Sequence, residues 1–209
     1  MRNTRQGTWL VYLATLLVLL LPLSVTATGE SPQQLVRDTS SRMLAAMRAE
    51  HDSISQDPAR LYALVEEIVL PNFDFRRMSQ WVLGRNWRSA TPQQREQFVA
   101  EFRQLLVRTY GTALLEYAAE EPVYLPYTET ADAKNVTVRT EIDQPGVGVI
   151  PIHYSLYHSG SAWKVYDISI SGVSLVTNYR STYGSIIRTD GIDQLIDQLA
   201  ERNRHKADG

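Results

Sequence analysis

From residue 31 to about 120 the apolar positions recur every three to four residues, which predicts amphipathic helices. Ser31-Pro32 supplies a cap and a proline for a first helix, and Leu35, Val36, Met43, Leu44 and Met47 form its apolar stripe. Asp57-Pro58 repeats the start signal, and Leu61, Leu64, Val65 and Ile68 follow until Pro71 stops the helix. A shorter helix is expected over 75–83. Thr91-Pro-Gln-Gln94 then resembles a capping box ahead of a long helix carrying Phe98, Phe102, Leu105, Leu106, Tyr110, Leu114 and Tyr117. Gly111 weakens the middle of that helix by up to about 1 kcal/mol relative to Ala, so a bend is expected there.

The period then falls from 3.6 to 2. Strands are expected over 123–130, 135–142, 149–158 and 162–170, with turns at 132–134, 144–147 and 159–161. Three short connections in succession imply an antiparallel meander. After Gly172 helical spacing returns through Val173, Val176, Tyr179 or Arg180, Tyr183 and Ile187, and Gly191 separates a last helix with Ile192, Leu195, Ile196 and Leu199. Helices, an antiparallel four-stranded sheet and helices again make an α+β plan. On the third strand Ile150, Ile152, Tyr154 and Leu156 share a face. On the fourth, Trp163, Val165, Asp167 and Ser169 alternate with Tyr166, Ile168 and Ile170, so both of its faces carry apolar groups.

Ahead of this plan stand a basic start with Arg2 and Arg5, an apolar block from Trp9 to Leu21, Pro22, and the small-residue site Val25-Thr26-Ala27. This order is that of a secretory leader cleaved after Ala27, and the block is shorter than the roughly 20 residues of a membrane span. The expected division is a leader over 1–27 and one domain over 28–209. Its helical part covers about 30–120, its sheet about 123–170 and its C-terminal helices about 173–203. The chain has no cysteine, which removes disulfides, zinc–thiolate sites and thiol chemistry and suits a bacterial periplasmic address. Its formal charge of −2 becomes −4 without the two leader arginines, a balance that argues against general nucleic-acid binding.

Catalytic constellations are sparse. Gly172-Val-Ser174 lacks the second glycine of a nucleophile elbow. The four histidines are scattered, with His153 and His158 on opposite faces of one strand. Asp167 is the one acid worth weighing, and the simpler reading is structural: it fastens sheet to helix by accepting from Arg180 or from backbone groups after Gly172. As a catalytic base its expected partner would be His153, on an opposite or unrelated face. Tyr124, Tyr127, Tyr154, Tyr157, Trp163, Tyr166, Tyr179 and Tyr183 crowd the sheet and the helix behind it. Individually they suit a core; together they also suit an apolar cleft between sheet and helices.

Several segments carry a family likeness. They are Phe73-Asp-Phe75, Val82-Leu-Gly-Arg-Asn-Trp-Arg88, Thr91-Pro-Gln-Gln-Arg95, Phe98 with Phe102, and Tyr110. The most specific are Trp163-Lys-Val-Tyr-Asp167 and Gly172-Val-Ser-Leu-Val-Thr-Asn-Tyr-Arg-Ser181. In this order they resemble the MlaC / toluene-tolerance family of periplasmic phospholipid carriers, over nearly the whole chain after the leader. Trp87 and Tyr183 depart mildly from the family pattern but keep their ring character. The resemblance implies an NTF2-like core with an added helical part and no catalysed reaction. It also implies no cofactor, and a bound phospholipid whose tails lie in an apolar pocket. A monomer would shuttle lipid between an outer-membrane lipoprotein–porin complex and the lipid-binding subunit of an inner-membrane ABC transporter. The pocket is expected from Phe98, Phe102, Leu106, Ile152, Tyr154, Leu156, Val165, Leu175 and Tyr179, on elements that must face one another. Arg85 and Arg88, in a loop before Thr91, are expected to face partners, and Trp163, Asp167, Gly172 and Arg180 to hold structure. The competing readings are a small NTF2-like enzyme using Asp167, and a protein-interaction module that carries no ligand.

Overall fold

The computed structural model describes residues 30–116, 120–126, 133–160 and 162–205. The expected leader, Tyr117, Tyr127 and the far end of the first strand lie outside the described residues, as do the side chains of 112–116, Leu114 among them. Helix α1 spans Pro32–Ala49, with the Ser31 side chain accepting from the backbone of Gln34. Two short helices follow, α2 over His51–Gln56 and α3 over Ala59–Leu64. α3 does not run on as a regular helix to Pro71. It widens into a π-helical turn, Val65–Val69, and then tightens into a 3₁₀ turn, Leu70–Asn72. Helix α4 covers Phe75–Leu83, capped by Asp74, and α5 covers Asn86–Ser89. α6 covers Pro92–Glu116, opened by a reciprocal box in which Gln94 N donates to the Thr91 hydroxyl and Thr91 N to the Gln94 side chain. The helix continues through Gly111, where the missing side chain has another use: a Cβ there would sit 3.1 Å from the Tyr62 ring of α3.

The sheet has five strands, not four: β1 Val123–Tyr124, β2 Asn135–Gln144, β3 Gly148–His158, β4 Trp163–Ile170 and β5 Val173–Ser174. They pair antiparallel in sequence order. The additional strand arises because Gly172 does not lead straight into a helix. Ser171 and Gly172 both take positive φ, 50° and 83°, the backbone of a two-residue primed turn that folds β5 back on β4. The other half of β4 meets the segment after α3, through a parallel bridge from Phe73 to Val165 and the bond from Asp74 N to Val165 O. Helix α7, Leu175–His205, ends the described chain and breaks at Gly191, at φ 88°.

Register decides which side chains meet. Leu156 pairs with Val165, but the next residue back, Ser155, pairs with Asp167, so Tyr166 is the extra residue of a bulge. The regular alternation expected along β4 is therefore broken. Trp163 and Val165 share the inner face with Ile168 and Ile170, opposite Tyr154 and Ile152, while Asp167 and Ser169 lie on the outer face with Ser155 and His153. Val138, Thr140, Ile142 and Leu156 are buried on the inner face, under α1 and the segment after α3. A second core lies between α4, α6 and α7, built on Phe98, Phe102, Val82, Leu195 and Leu199.

Candidate functional site

The inner face of the sheet is not filled. Between it and the helices lie two apolar cavities, of about 180 Å³ and about 170 Å³. The first runs under α1, against Leu35, Val36, Met43, Leu44 and Met47, and carries a small polar set in Thr39, Ser40, Asn72 and Glu120. Asn72 donates to the Thr39 hydroxyl at 2.8 Å. The second runs between the π-helical turn and α6, against Val65, Leu106, Val107, Tyr110 and Gly111, with Phe75, Met78 and Leu175 closing it. Val69, Phe73, Ile152, Tyr154 and Ile168 line both, so the two cavities adjoin across a shared wall and make a forked cleft with Phe73 and Tyr154 between its lobes.

The local sequence explains this wall. A π-helical turn carries one extra residue per turn, and here it brings both Val65 and Val69 to the cleft. The 3₁₀ turn and the Phe73–Val165 bridge then fix Phe73 against the sheet, where its ring stacks on Phe75 at 5.7 Å between centroids. On β3, burial pushes the Tyr154 phenol up to about 12, aided by Tyr124 and opposed by a hydrogen bond with Thr140. The Thr140 hydroxyl itself donates to Ile152 O at 2.8 Å. The sheet wall is thus apolar rings and branched chains with its few hydroxyls internally occupied.

Of the nine expected lining residues, Leu106, Ile152, Tyr154, Val165 and Leu175 stand on the cleft. Phe98, Phe102, Leu156 and Tyr179 do not. Phe98 and Phe102 are fully buried between α6 and α7, 5.6 Å apart, with Tyr179 edge-on to Phe102 at 5.2 Å. Burial, first, and the neighbouring Tyr110 raise the Tyr179 phenol. Leu156 is packed into the sheet side of the core with Val36, Val138 and Val165. The face of α6 that carries Phe98 and Phe102 turns to α7, because the C-terminal helix is long enough to cover it. The walls missed from the sequence are α1 and the π-helical turn, whose wide apolar stripes were legible but could equally have been plain core.

Asp167 sits where sheet and helix join. Its carboxylate accepts from the Ser174 hydroxyl at 2.6 Å and from Val176 N at 3.1 Å, while Ser174 accepts from Thr177 N and caps α7. Arg180 is not its partner, and no hydrogen bond or ion pair joins them among the described residues. The Arg180 guanidinium instead covers Gly84, where a Cβ would lie 3.1 Å from it. Asp167 and His153 do share the outer face, contrary to the expectation of opposite faces. No hydrogen bond joins them either, among the described residues, and they stand behind the cleft wall. Trp163 is half-buried and edge-on to His158 at 5.1 Å. Arg85 and Arg88 are exposed, on the short helix α5 and its entry where a loop was expected. Among the described residues no group of His, Cys, Asp or Glu side chains could hold a metal ion, and no helix is long and apolar enough to cross a membrane.

Comparison with known proteins places this architecture. The model of the MlaC protein family matches residues 37–201. The toluene tolerance protein of Pseudomonas putida is 27% identical over 179 residues, which cover 84% of this chain and 83% of that protein. The intermembrane phospholipid transport system binding protein MlaC of Haemophilus influenzae is 28% identical over 197 residues, 92% of each chain. Among solved structures, a phospholipid-binding protein from Ralstonia solanacearum, in complex with a phospholipid, superposes with a TM-score of 0.78 at 32% identity. The match covers 84% of this chain and 98% of that one.

Proposed function

Since the chain belongs to the MlaC family, we propose that it is a soluble periplasmic carrier of phospholipid, with the acyl tails in the forked cleft and no reaction to catalyse. The observation that carries this reading is the fork itself: two apolar lobes that meet at Phe73 and Tyr154 suit the two tails of one diacyl lipid. The driving force is burial, at about 0.8 kcal/mol for each CH₂ taken out of water. The Ralstonia relative, solved in complex with a phospholipid, supports phospholipid as the ligand.

The carrier works with components of the Mla lipid-asymmetry transport system. Within that system we assign it to the passage between an outer-membrane lipoprotein–porin complex and the lipid-binding subunit of an inner-membrane ABC transporter. Exposed Arg85 and Arg88 suit contact with those complexes.

Tyr154→Glu tests the cleft. It places a carboxylate where both lobes meet, and an ionised group in an apolar site costs several kcal/mol. Transfer of labelled phospholipid between donor and acceptor vesicles is expected to stop while the variant remains folded by circular dichroism. A folded variant that transfers lipid at the normal rate would place the tails elsewhere.

A further inference from the structure

The back of the sheet carries an arrangement that the lipid cleft does not use. The Arg77 guanidinium lies 3.8 Å over the Tyr157 ring and 5.3 Å from that of Tyr166, the bulge residue. Trp81, one turn further along α4, meets Tyr166 at 6.0 Å and is 48% exposed, the one exposed tryptophan among the described residues. Tyr157 donates to Asp74, which also caps α4, so the phenol is held in place. The Nε of Arg77 is buried without a hydrogen-bond partner. None of Arg77, Trp81, Tyr157 and Tyr166 lines either lobe of the cleft.

Unanswered positive charge surrounds this stack. Three residues beyond Trp81, Gly84 ends α4 beneath the Arg180 guanidinium. From Arg180 an open, shallow face of α7 runs past Thr177, Ser181, Gly184 and Ser185 to Arg188. Among the described residues the ion pairs join Arg48 to Glu121, His51 to Asp52, Arg60 to Glu50 and Arg103 to Glu66. None includes Arg77, Arg85, Arg180 or Arg188. Of the acids beside this surface, Asp74 and Asp167 are engaged within the fold, and Asp190 follows Arg188 by two residues without an ion pair to it.

We propose that Trp81, Arg77 and Tyr166 anchor a docking surface for an acidic protein segment of a membrane complex, which extends past Gly84 onto the Arg180–Arg188 face of α7. Tryptophan, tyrosine and arginine are the residues that dominate interface energetics when they cluster, and here they stand on α4 and on the strand β4 beside it. The unpaired guanidiniums set the sign of the partner. A protein segment is the occupant because the arginines stand in a row, from Arg77 past Gly84 to Arg180 and Arg188 on one face of α7, which an extended acidic segment can follow. The surface lies behind the cleft wall, so docking here leaves the lipid in place. The proposal rests on the carrier reading for the identity of its partner.

The test uses the full chain with its lipid, and the purified inner-membrane transporter and outer-membrane complex of the same organism, measured by biolayer interferometry. Trp81→Ala and Arg77→Gln are each expected to weaken binding to at least one complex by about tenfold. Arg77→Lys should recover only part of it, the loss should shrink as salt rises, and lipid per chain in native mass spectra should not change. Trp81 is exposed, so its variant stays interpretable even if Arg77→Gln unfolds. Wild-type binding to both complexes with Trp81→Ala binding as well overturns the surface and leaves the carrier reading standing. Wild-type binding to neither complex also overturns it. So does binding of wild type to vesicles of phosphatidylglycerol and phosphatidylcholine that Trp81→Ala loses, since the surface then serves a membrane. Loss of lipid from the wild-type chain is a separate result, against the carrier reading alone.

Discussion

Asp167 offers a prediction in which structure and function come apart cleanly. Its two bonds, from the Ser174 hydroxyl at 2.6 Å and Val176 N at 3.1 Å, tie β4 to the first turn of α7. A hydrogen bond to a charged group contributes about 1.5–3 kcal/mol, and an anion at a helix N-terminus adds about 0.3–1 kcal/mol. Asp167 is only half-buried, so solvent screening takes the lower ends of these ranges. Asp167→Ala should therefore cost about 3 kcal/mol. Asp167→Asn, which keeps an acceptor and the shape but not the charge, should cost about 1–2 kcal/mol. For a domain of this size each kcal/mol moves Tm by about 2–4 °C, so the Ala variant should melt about 6–12 °C lower and Asn about half as far. Thermal melts are to be paired with phospholipid transfer per folded molecule, which should stay at the wild-type value in both variants. Asn protein of normal stability that no longer transfers lipid would refute the reasoning and return Asp167 to a working role.

Gly111→Ala sets helix propensity, a gain of up to about 1 kcal/mol, against a Cβ placed 3.1 Å from the Tyr62 ring. Overpacking costs about 1–3 kcal/mol, so urea denaturation should show a net loss of about 1 kcal/mol, and a gain would mean the ring yields freely. Tyr154 titrates at about 12 in the fold against about 10 in the unfolded chain. Its folded-state value is raised, so the stability it contributes is fully present below pH 10 and is lost as pH rises through 12. Alkaline unfolding followed by phenolate absorbance should be delayed to higher pH in Tyr154→Phe, and an unchanged midpoint would contradict the buried phenol.

The helical half and the meander were legible because their signals are local. Ser31-Pro32, Asp57-Pro58 and Thr91 with Gln94 mark helix starts that the structure uses, and 75–83 is a helix to the residue. Break points were harder. The bulge at Tyr166 did leave a trace, since apolar residues in β4 step by two from Trp163 to Val165, by three to Ile168, and by two again to Ile170. Ser171-Gly172 was likewise readable as a two-residue turn, but β5 is so short that helical spacing after it dominated. The pocket was half legible. A sheet face alternates, so Ile152, Tyr154 and Val165 could be placed, whereas an apolar helix stripe does not say whether it meets another helix or a space. Phe98 and Phe102 met α7, and Leu35, Met43 and Met47 met the cleft, a difference set by tertiary arrangement alone.

The central claim is that one diacyl phospholipid occupies the forked cleft. Native mass spectrometry of the full chain, purified from its own periplasm without added lipid, tests it most directly. The account predicts a protein peak carrying one phospholipid, released intact on collisional activation and absent from Tyr154→Glu protein that remains folded. A lipid-free wild-type chain, or a lipid peak that Tyr154→Glu leaves unchanged, would contradict it.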